Sequence, residues 1–392
     1  MISSQAVLGL PGYQITDVDE MAGRVRISAC HAGPKSCPHC NSERLRLKDK
    51  RIRRPRHESL GLRHSVLELE SRKYRCQDCG RTFWERFPGI LPRKRATEPF
   101  RRSVFVAHYD GVNRSRLGRR EAIGSATVER WFQDYLQREV AERRGADCPR
   151  VLGIDEHFFS KKDGYATTFC DLRKHKIFDV VLGRSEAALE DYLAKLPGKD
   201  RVQIVCMDLA SVYRAVVRKH FPKAKIVADR FHVIRLINHH FLACWREIDP
   251  VGCKHRGLLS LMRRHRHNLK PEQKTRLEAY FDQFPALREI WRFKQRLCYL
   301  LLKRHRTRKQ CIHLVNRFLK ALHELSQAGL AQLVQLGQTL SSWSEEIGRM
   351  WRFTRNNGIT EGFHTKMEVL QRQAYGFRNF SNYRLRVRIM CS

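Results

Sequence analysis

The sequence predicts an α/β protein assembled in series: a small metal-stapled β module, a helical segment, and a larger sheet domain interrupted by a long helical stretch. Three observations predict it. Two C-x-x-C pairs, CPHC at 37–40 and CQDC at 76–79, flank strand-like alternation. From residue 150 the apolar period shifts to short strand-like runs, which then alternate with amphipathic helices. Residues 232–350 read as almost entirely helical and very basic, with turns at DPVG and LKPEQ.

Composition bounds the function. The 392 residues carry 76 Lys plus Arg against 40 Asp plus Glu, a formal net charge of +36. So large an excess calls for a polyanionic partner. Because the charge runs through every segment, and not along one amphipathic helix, nucleic acid is favoured over a membrane surface. MISSQAVLGLPGYQ has no basic stretch ahead of an apolar run, so no secretory leader is expected. LCYLLL at 297–302 is too short to span a bilayer. Thirteen cysteines is an odd number, and Cys170, Cys206 and Cys298 sit in apolar strings, as reduced thiols do. The expectation is a soluble, cytoplasmic nucleic-acid protein.

In the N-terminal module, two C-x-x-C pairs suit one tetrahedral Zn²⁺, each pair gripping the ion from a tight turn. Cys37, Cys40, Cys76 and Cys79 are therefore the expected zinc ligands, with Cys30, His31 and His39 as lower-ranked spare donors. The alternative, a redox C-x-x-C, rarely comes in pairs without a thioredoxin pattern. SVLELESRKYRC reads as a strand entering the second pair. RLRLKDKRIRRPRH reads as a basic loop between the pairs, contacting phosphate or simply solvated.

Residues 97–137 read as three helices: TEPFRRSVFVAHY, NRSRLGRREAI after the Gly111 break, and SATVERWFQDYL. In the third, Val128, Trp131, Phe132, Tyr135 and Leu136 fall on one face, and Ser125 is the expected N-cap. The opposite face, with Ser125, Thr127, Glu129 and Arg130, is then free to enter a major groove as in a helix-turn-helix. A helical hairpin packed on its neighbours gives the same pattern.

VLGIDE, YATTFCDL and KIFDVVLG are three strands joined by short turns, so they pair antiparallel. SEAALEDYLAKL is a helix stopped by Pro197 and Gly198; RVQIVCMD, ASVYRAVVRKHF and KIVADRF then supply strand, helix and strand. Three antiparallel strands followed by helix, strand, helix, strand is an α/β sheet of ribonuclease H type. In such a sheet the first strand lies parallel to the fourth. Asp155 and Asp208 are read as terminating those strands, so they emerge together at the carboxyl edge where ligands bind. Neighbouring carboxylates repel, and a divalent cation removes the conflict. Mg²⁺ favours a few carboxylates plus substrate phosphate oxygens, and two ions roughly 3.5–4 Å apart serve an in-line phosphoryl displacement. The ordinary reading is that each Asp merely caps a turn. For a third acid the pattern offers Asp229, Glu361 and Glu368 and does not choose among them.

The strings GIDE, VCMD, ADRFHV, NNGITEGFHTKM and RQAYGFRNFSNYRLRV together resemble the ISL3 family of insertion-sequence transposases. The CPHC…CQDCGRTF ribbon and the helices after it match that family's N-terminal layout, so the resemblance covers nearly the whole chain. It implies a DDE transposase: zinc ribbon (1–92), helix-turn-helix (93–147), ribonuclease H-like core (148–234), basic helical insertion (235–350), and a final core segment (351–392). It implies Asp155, Asp208 and Glu361 as the triad holding Mg²⁺ or Mn²⁺, with Asp229 and His232 supporting. The implied function is binding of terminal inverted repeats, metal-dependent end cleavage, and strand transfer into target double-stranded DNA. The expected form is a homo-oligomer assembled on DNA at the bacterial nucleoid. Two alternatives are a catalytically silent DNA-binding regulator derived from a transposase, against which the three acids argue, and a structure-selective nuclease, which needs no N-terminal reading modules.

Overall fold

The computed structural model describes residues 8–34, 36–142, 147–353 and 358–391, apart from the side chains of Met21, Ile359 and Glu361. The chain divides into two compact units, Met1–Glu142 and Arg143–Ser392.

The first unit is organised around one long strand. β1 (Tyr13–Met21) and β2 (Arg24–His31) form a hairpin; β3 (Leu45–Arg53), β4 (Arg56–Leu60), β5 (Arg63–Cys76) and β6 (Thr82–Trp84) follow. The 14-residue β5 pairs parallel with β2 and antiparallel with β3, β4 and β6. Its alternation buries Ser65, Leu67, Leu69 and Ser71, and the leucines join Val25, Ile27, Phe87 and Ile90 in the core. The sequence reading of RLRLKDKRIRRPRH as a loop is corrected here, because most of it is β3 and the start of β4. β3 exposes residues on both faces, so no apolar alternation marks it. Its ladder with β5 and the cross-strand pairs Lys50–Glu70 (3.1 Å) and Arg54–Glu68 (2.7 Å) hold it extended.

Three helices complete this unit: α1 (Glu98–Tyr109), α2 (Arg114–Arg120) and α3 (Ser125–Glu142). Thr97 caps α1 by accepting the Phe100 N–H, and Asn113 caps α2 by accepting the Arg116 N–H. Ser125 is the first helical residue of α3 and not its cap, since the Thr127 and Val128 amides bond the Gly124 carbonyl. Val128, Trp131, Phe132 and Leu136 of the expected face are buried, Tyr135 is half-buried, and Val140 extends the face by a further turn. Gly118 makes the tight α2–α3 approach possible, since a Cβ there would lie 2.8 Å from the Ile123 carbonyl oxygen.

The second unit is a five-stranded sheet in the order β11-β10-β7-β8-β9, comprising β7 (Val151–Ser160), β8 (Gly164–Asp171), β9 (Lys176–Leu182), β10 (Ile204–Met207) and β11 (Lys225–Ala228). β7, β8 and β9 pair antiparallel; β10 runs parallel to β7, and β11 parallel to β10. The antiparallel pairing of β7, β8 and β9 and the parallel pairing of β7 with β10 are those expected from the sequence. α4 (Glu186–Ala194) and α5 (Ser211–His220) connect the later strands, and α6 (Arg230–Ile248) follows β11. Six further helices come next, α7 (Arg256–Arg263), α8 (Pro271–Gln283), α9 (Pro285–Leu302), α10 (Arg308–Ser326), α11 (Ala331–Ser342) and α12 (Ser344–Arg349), before α13 (Gly358–Gln373) and α14 (Phe380–Met390).

The sheet is covered on both faces. Leu152, Ile154, Phe169, Val205 and Met207 pack with α4, α5 and the longer helices, while Ala166, Cys170, Val180 and Cys206 pack against Phe363, Met367, Tyr383 and Val387 of α13 and α14. The helical stretch also owns a core, built on Phe241, Trp245, Phe281 and Trp291. Among the described residues no helix is long and apolar enough to cross a membrane.

Candidate metal centres

Two turns of matching shape present the cysteines. The Cys37 N–H bonds the Ser42 carbonyl and the Asn41 N–H returns to Cys37; likewise Cys76 bonds Arg81 and Gly80 returns to Cys76. Asp78 braces the two turns by accepting from the Ser42 hydroxyl at 2.5 Å and from Arg44 at 3.0 Å. The Sγ atoms of Cys37 and Cys79 are 3.7 Å apart and those of Cys40 and Cys76 are 3.5 Å apart, with all four within 4.8 Å of one another. A tetrahedral ion with Zn–S near 2.3 Å requires sulfur–sulfur edges of about 3.75 Å. The donor set and its spacing fit one structural Zn²⁺. Cys30, His31 and His39 lie outside the cluster: His31 packs on Tyr13 and Phe87, and His39 lies 3.3 Å from Arg81.

The acids lie in the second unit. Asp155 is in the middle of β7 and not at its end, a correction to the sequence reading, because β8 continues to pair β7 as far as Ser160. The pairing with β10 nevertheless stops at Gly153, so Asp155 emerges beside the end of β10. Val151 pairs Ile204, and Ile204 pairs Lys225. Carried forward, the same register sets Asp155, Asp208 and Asp229 in one row across three adjacent parallel strands. Asp229 is 2% exposed, caps α6 by accepting the Phe231 N–H, and donates its own N–H to the Met207 carbonyl.

The row is electrostatically frustrated. Burial pushes the Asp155 carboxyl up to about 7, with Asp229, Asp208 and Glu156 adding to the rise and the Glu156 N–H opposing it. Asp208 is raised as well, first by burial and then by Glu156 and Asp229, while His232 pulls it down. His232 Nε2 stands 3.9 Å from Asp155 Oδ1 and 3.8 Å from Asp229 Oδ2, beyond hydrogen-bond range. Oδ1 of Asp208 is buried with no hydrogen-bond partner. An orphaned carboxylate oxygen among like charges fits a divalent cation. The acids are spread more widely than the cysteines, which alone among the described residues bring three or more ligand atoms within 4.8 Å.

Residues 152–387, more than half the chain, match the transposase model of the ISL3 family. The chain belongs to the ISL3 family of transposases. Residues 33–79 match the zinc finger of the transposases of IS204, IS1001, IS1096 and IS1165. The chain is also similar to a protein of Bordetella parapertussis named as the transposase for insertion sequence element IS1001. The two are 23% identical over 397 aligned residues, covering 97% of this chain and 95% of the relative.

In this ISL3-family transposase the other expected site residues are distributed as follows. Glu361 belongs to the first turn of α13, and its side chain lies outside the described residues. Glu368 is taken up in a surface pair with Arg372 at 3.2 Å. Ser125 and Arg130 are exposed on α3, and Arg130 donates to the Thr127 hydroxyl at 3.2 Å. Thr127 and Arg130 line a cleft of about 440 Å³ together with Arg56, Arg93, Lys94 and Arg95.

Strand alternation alone turns Glu156 away from Asp155, yet its carboxylate raises both Asp155 and Asp208, and Arg184 holds it at 3.3 Å. A second group that sequence reasoning missed is His157, whose ring lies 3.0 Å from the Thr168 hydroxyl and 2.9 Å from the Tyr383 hydroxyl. Burial holds it neutral, its pKa lowered to about 3. No local signal separates such a histidine from an ordinary core one.

Proposed function

We propose that this chain is a DDE transposase that binds the terminal inverted repeats of its own element, cleaves at the ends, and joins the freed 3′-hydroxyls to target DNA. The observation that carries the reading is the row of Asp155, Asp208 and Asp229 across β7, β10 and β11, with one buried carboxylate oxygen unpaired. In this reading the second unit is a ribonuclease H-like core, with the helices between β11 and α13 as its insertion. The first unit is a zinc ribbon followed by a helix-turn-helix.

Asp155, Asp208 and Glu361 are the proposed metal ligands. Bound there, a pair of Mg²⁺ or Mn²⁺ ions would activate the attacking hydroxyl and stabilise the departing oxygen. The chain's own part is to hold the acids in register, to exclude water beneath them, and to orient the strand. Asp229 ties β11 to the Met207 carbonyl and starts α6, which carries His232 toward the row. Ser125, Thr127 and Arg130 are the proposed groove-reading residues, and the surrounding arginines would hold phosphates. Assembly on two ends calls for more than one copy of the chain.

The test is direct. Purified protein is incubated in Mg²⁺ with a duplex carrying the end of its own element, and the products are mapped. Nicks at the tip support the reading; intact DNA that the protein binds specifically would favour a silent regulator.

A further inference from the structure

We propose that the cleft between the end of β7 and α13 takes up one unpaired nucleotide of the DNA strand presented to the acidic row; this rests on the transposase reading above. The cleft has a volume of about 550 Å³, and His157, Phe158, His364, Gln371, Arg372 and Tyr375 are among the residues that line it. It adjoins the row along β7, and its two walls meet where the His157 and His364 rings lie 5.4 Å apart. His157 and Phe158 follow Asp155 on β7, and His364 lies one turn beyond Glu361 on α13.

Two aromatic rings stand at this cleft without burying themselves. Phe158 is 53% exposed and Tyr375 is 87% exposed. Tyr375 also has φ +54°, a left-handed conformation that L-residues other than Asn and Asp seldom adopt. The Gly376 N–H closes on the Gln371 carbonyl at 2.8 Å, which holds the tyrosine in that turn. That turn ends α13 and leaves the Tyr375 ring exposed, where a ligand can stack on it. Phe158 meets Tyr165 edge-on at 5.6 Å, and Arg184 lies 4.6 Å over the Tyr165 ring while also reaching Glu156. Aromatic rings and a guanidinium thus lead from Phe158 to Glu156, the neighbour of Asp155.

The floor is polar. The Tyr383 hydroxyl lies 2.9 Å from His157, and Nε2 of His364 is buried with no hydrogen-bond partner. Exposed rings give a base something to stack on, Arg372 can approach a phosphate, and Gln371 with His364 offers hydrogen bonds to a base edge. A base inside a duplex cannot enter a concave site, so the cleft selects an unpaired nucleotide.

The test compares two DNAs in EDTA with the full chain: the element's terminal-repeat duplex with a blunt tip, and the same duplex with a short single-stranded overhang containing 2-aminopurine. The expected result is roughly tenfold tighter binding of the overhang, the size of one base stack, with 2-aminopurine quenched on binding. In the Phe158→Ala/Tyr375→Ala double variant the ratio of the two affinities should fall to about one and the quenching should be lost, while Tyr375→Phe keeps both. Equal affinities in the wild type, or an unchanged ratio in the double variant, would overturn the proposal and leave the transposase reading standing. Failure to bind the terminal-repeat duplex better than random duplex would overturn both.

Discussion

The guanidinium of Arg230 donates to the backbone carbonyl of Met350 at 3.0 Å, across 120 positions of sequence. The same side chain reaches the carbonyls of Leu301 at 2.8 Å and Lys303 at 3.3 Å. The residue that follows Asp229 therefore fastens the end of α9 and the end of α12 to the edge of the sheet. The helices between β11 and α13 are thus tied back to the end of β11, beside Asp229.

Arg230 is 3% exposed, so Arg230→Leu leaves three carbonyls without their donor. The cost should be about 3 kcal/mol, read as a lower midpoint in urea unfolding followed by tryptophan fluorescence. An unchanged midpoint would mean that the clamp carries no net stability.

Zinc should be present at about one ion per chain by elemental analysis and absent in Cys76→Ser. Its removal should abolish β structure in the first unit, because small structural sites derive much of their folding energy from the metal. A metal-free chain with an unchanged circular dichroism spectrum would contradict the assignment.

His57 makes the first unit sensitive to acid. It lies 2.9 Å from the hydroxyl of Thr97, the cap of α1, and burial lowers its pKa from 6.5 to about 4. The folded state keeps it neutral, so below pH 6.5 the unfolded chain binds a proton that the folded chain refuses. Its contribution is full above about pH 6.5 and is lost as pH falls toward 4, by at most about 1.4 kcal/mol per pH unit. The difference in melting temperature between wild type and His57→Gln should shrink steadily across that window. A constant difference would show that His57 is not held neutral.

Thr127→Ala and Arg130→Ala should narrow the gap between terminal-repeat and random DNA more than they weaken overall binding, and wild-type affinity should drop steeply with salt. Titrations of both DNAs at two salt concentrations measure this. Equal loss on both sequences would make these residues phosphate contacts only.

Much of the second unit was legible in the sequence, because β7, β8, β10 and β11 are apolar runs whose ends carry turn residues or acids. The helical stretch was legible from its period and from Pro271, which starts α8. The first unit was less so. β1 and β2 mix charged with apolar residues, and β3 is charged on both faces, so pairing with β5 and not local pattern determines them. Four cysteines announced themselves by spacing. The row of Asp155, Asp208 and Asp229 emerges only from the register of three strands. The choice between Asp229 and Glu361 as third ligand was not in the pattern of residues, since both follow an element boundary.

The proposed role of Asp155, Asp208 and Glu361 is to hold the catalytic metals. It is tested by end cleavage on a terminal-repeat duplex with Asp155→Asn, Asp208→Asn, Glu361→Gln and Asp229→Asn beside the wild type, in Mg²⁺, Mn²⁺, Ca²⁺ and EDTA. Each of the first three variants should lose cleavage and strand transfer while binding stays within a few-fold. Mn²⁺ should replace Mg²⁺, and Ca²⁺ should permit binding alone. Active Glu361→Gln beside inactive Asp229→Asn would contradict the third ligand, and wild-type cleavage undiminished in EDTA would contradict the claim altogether.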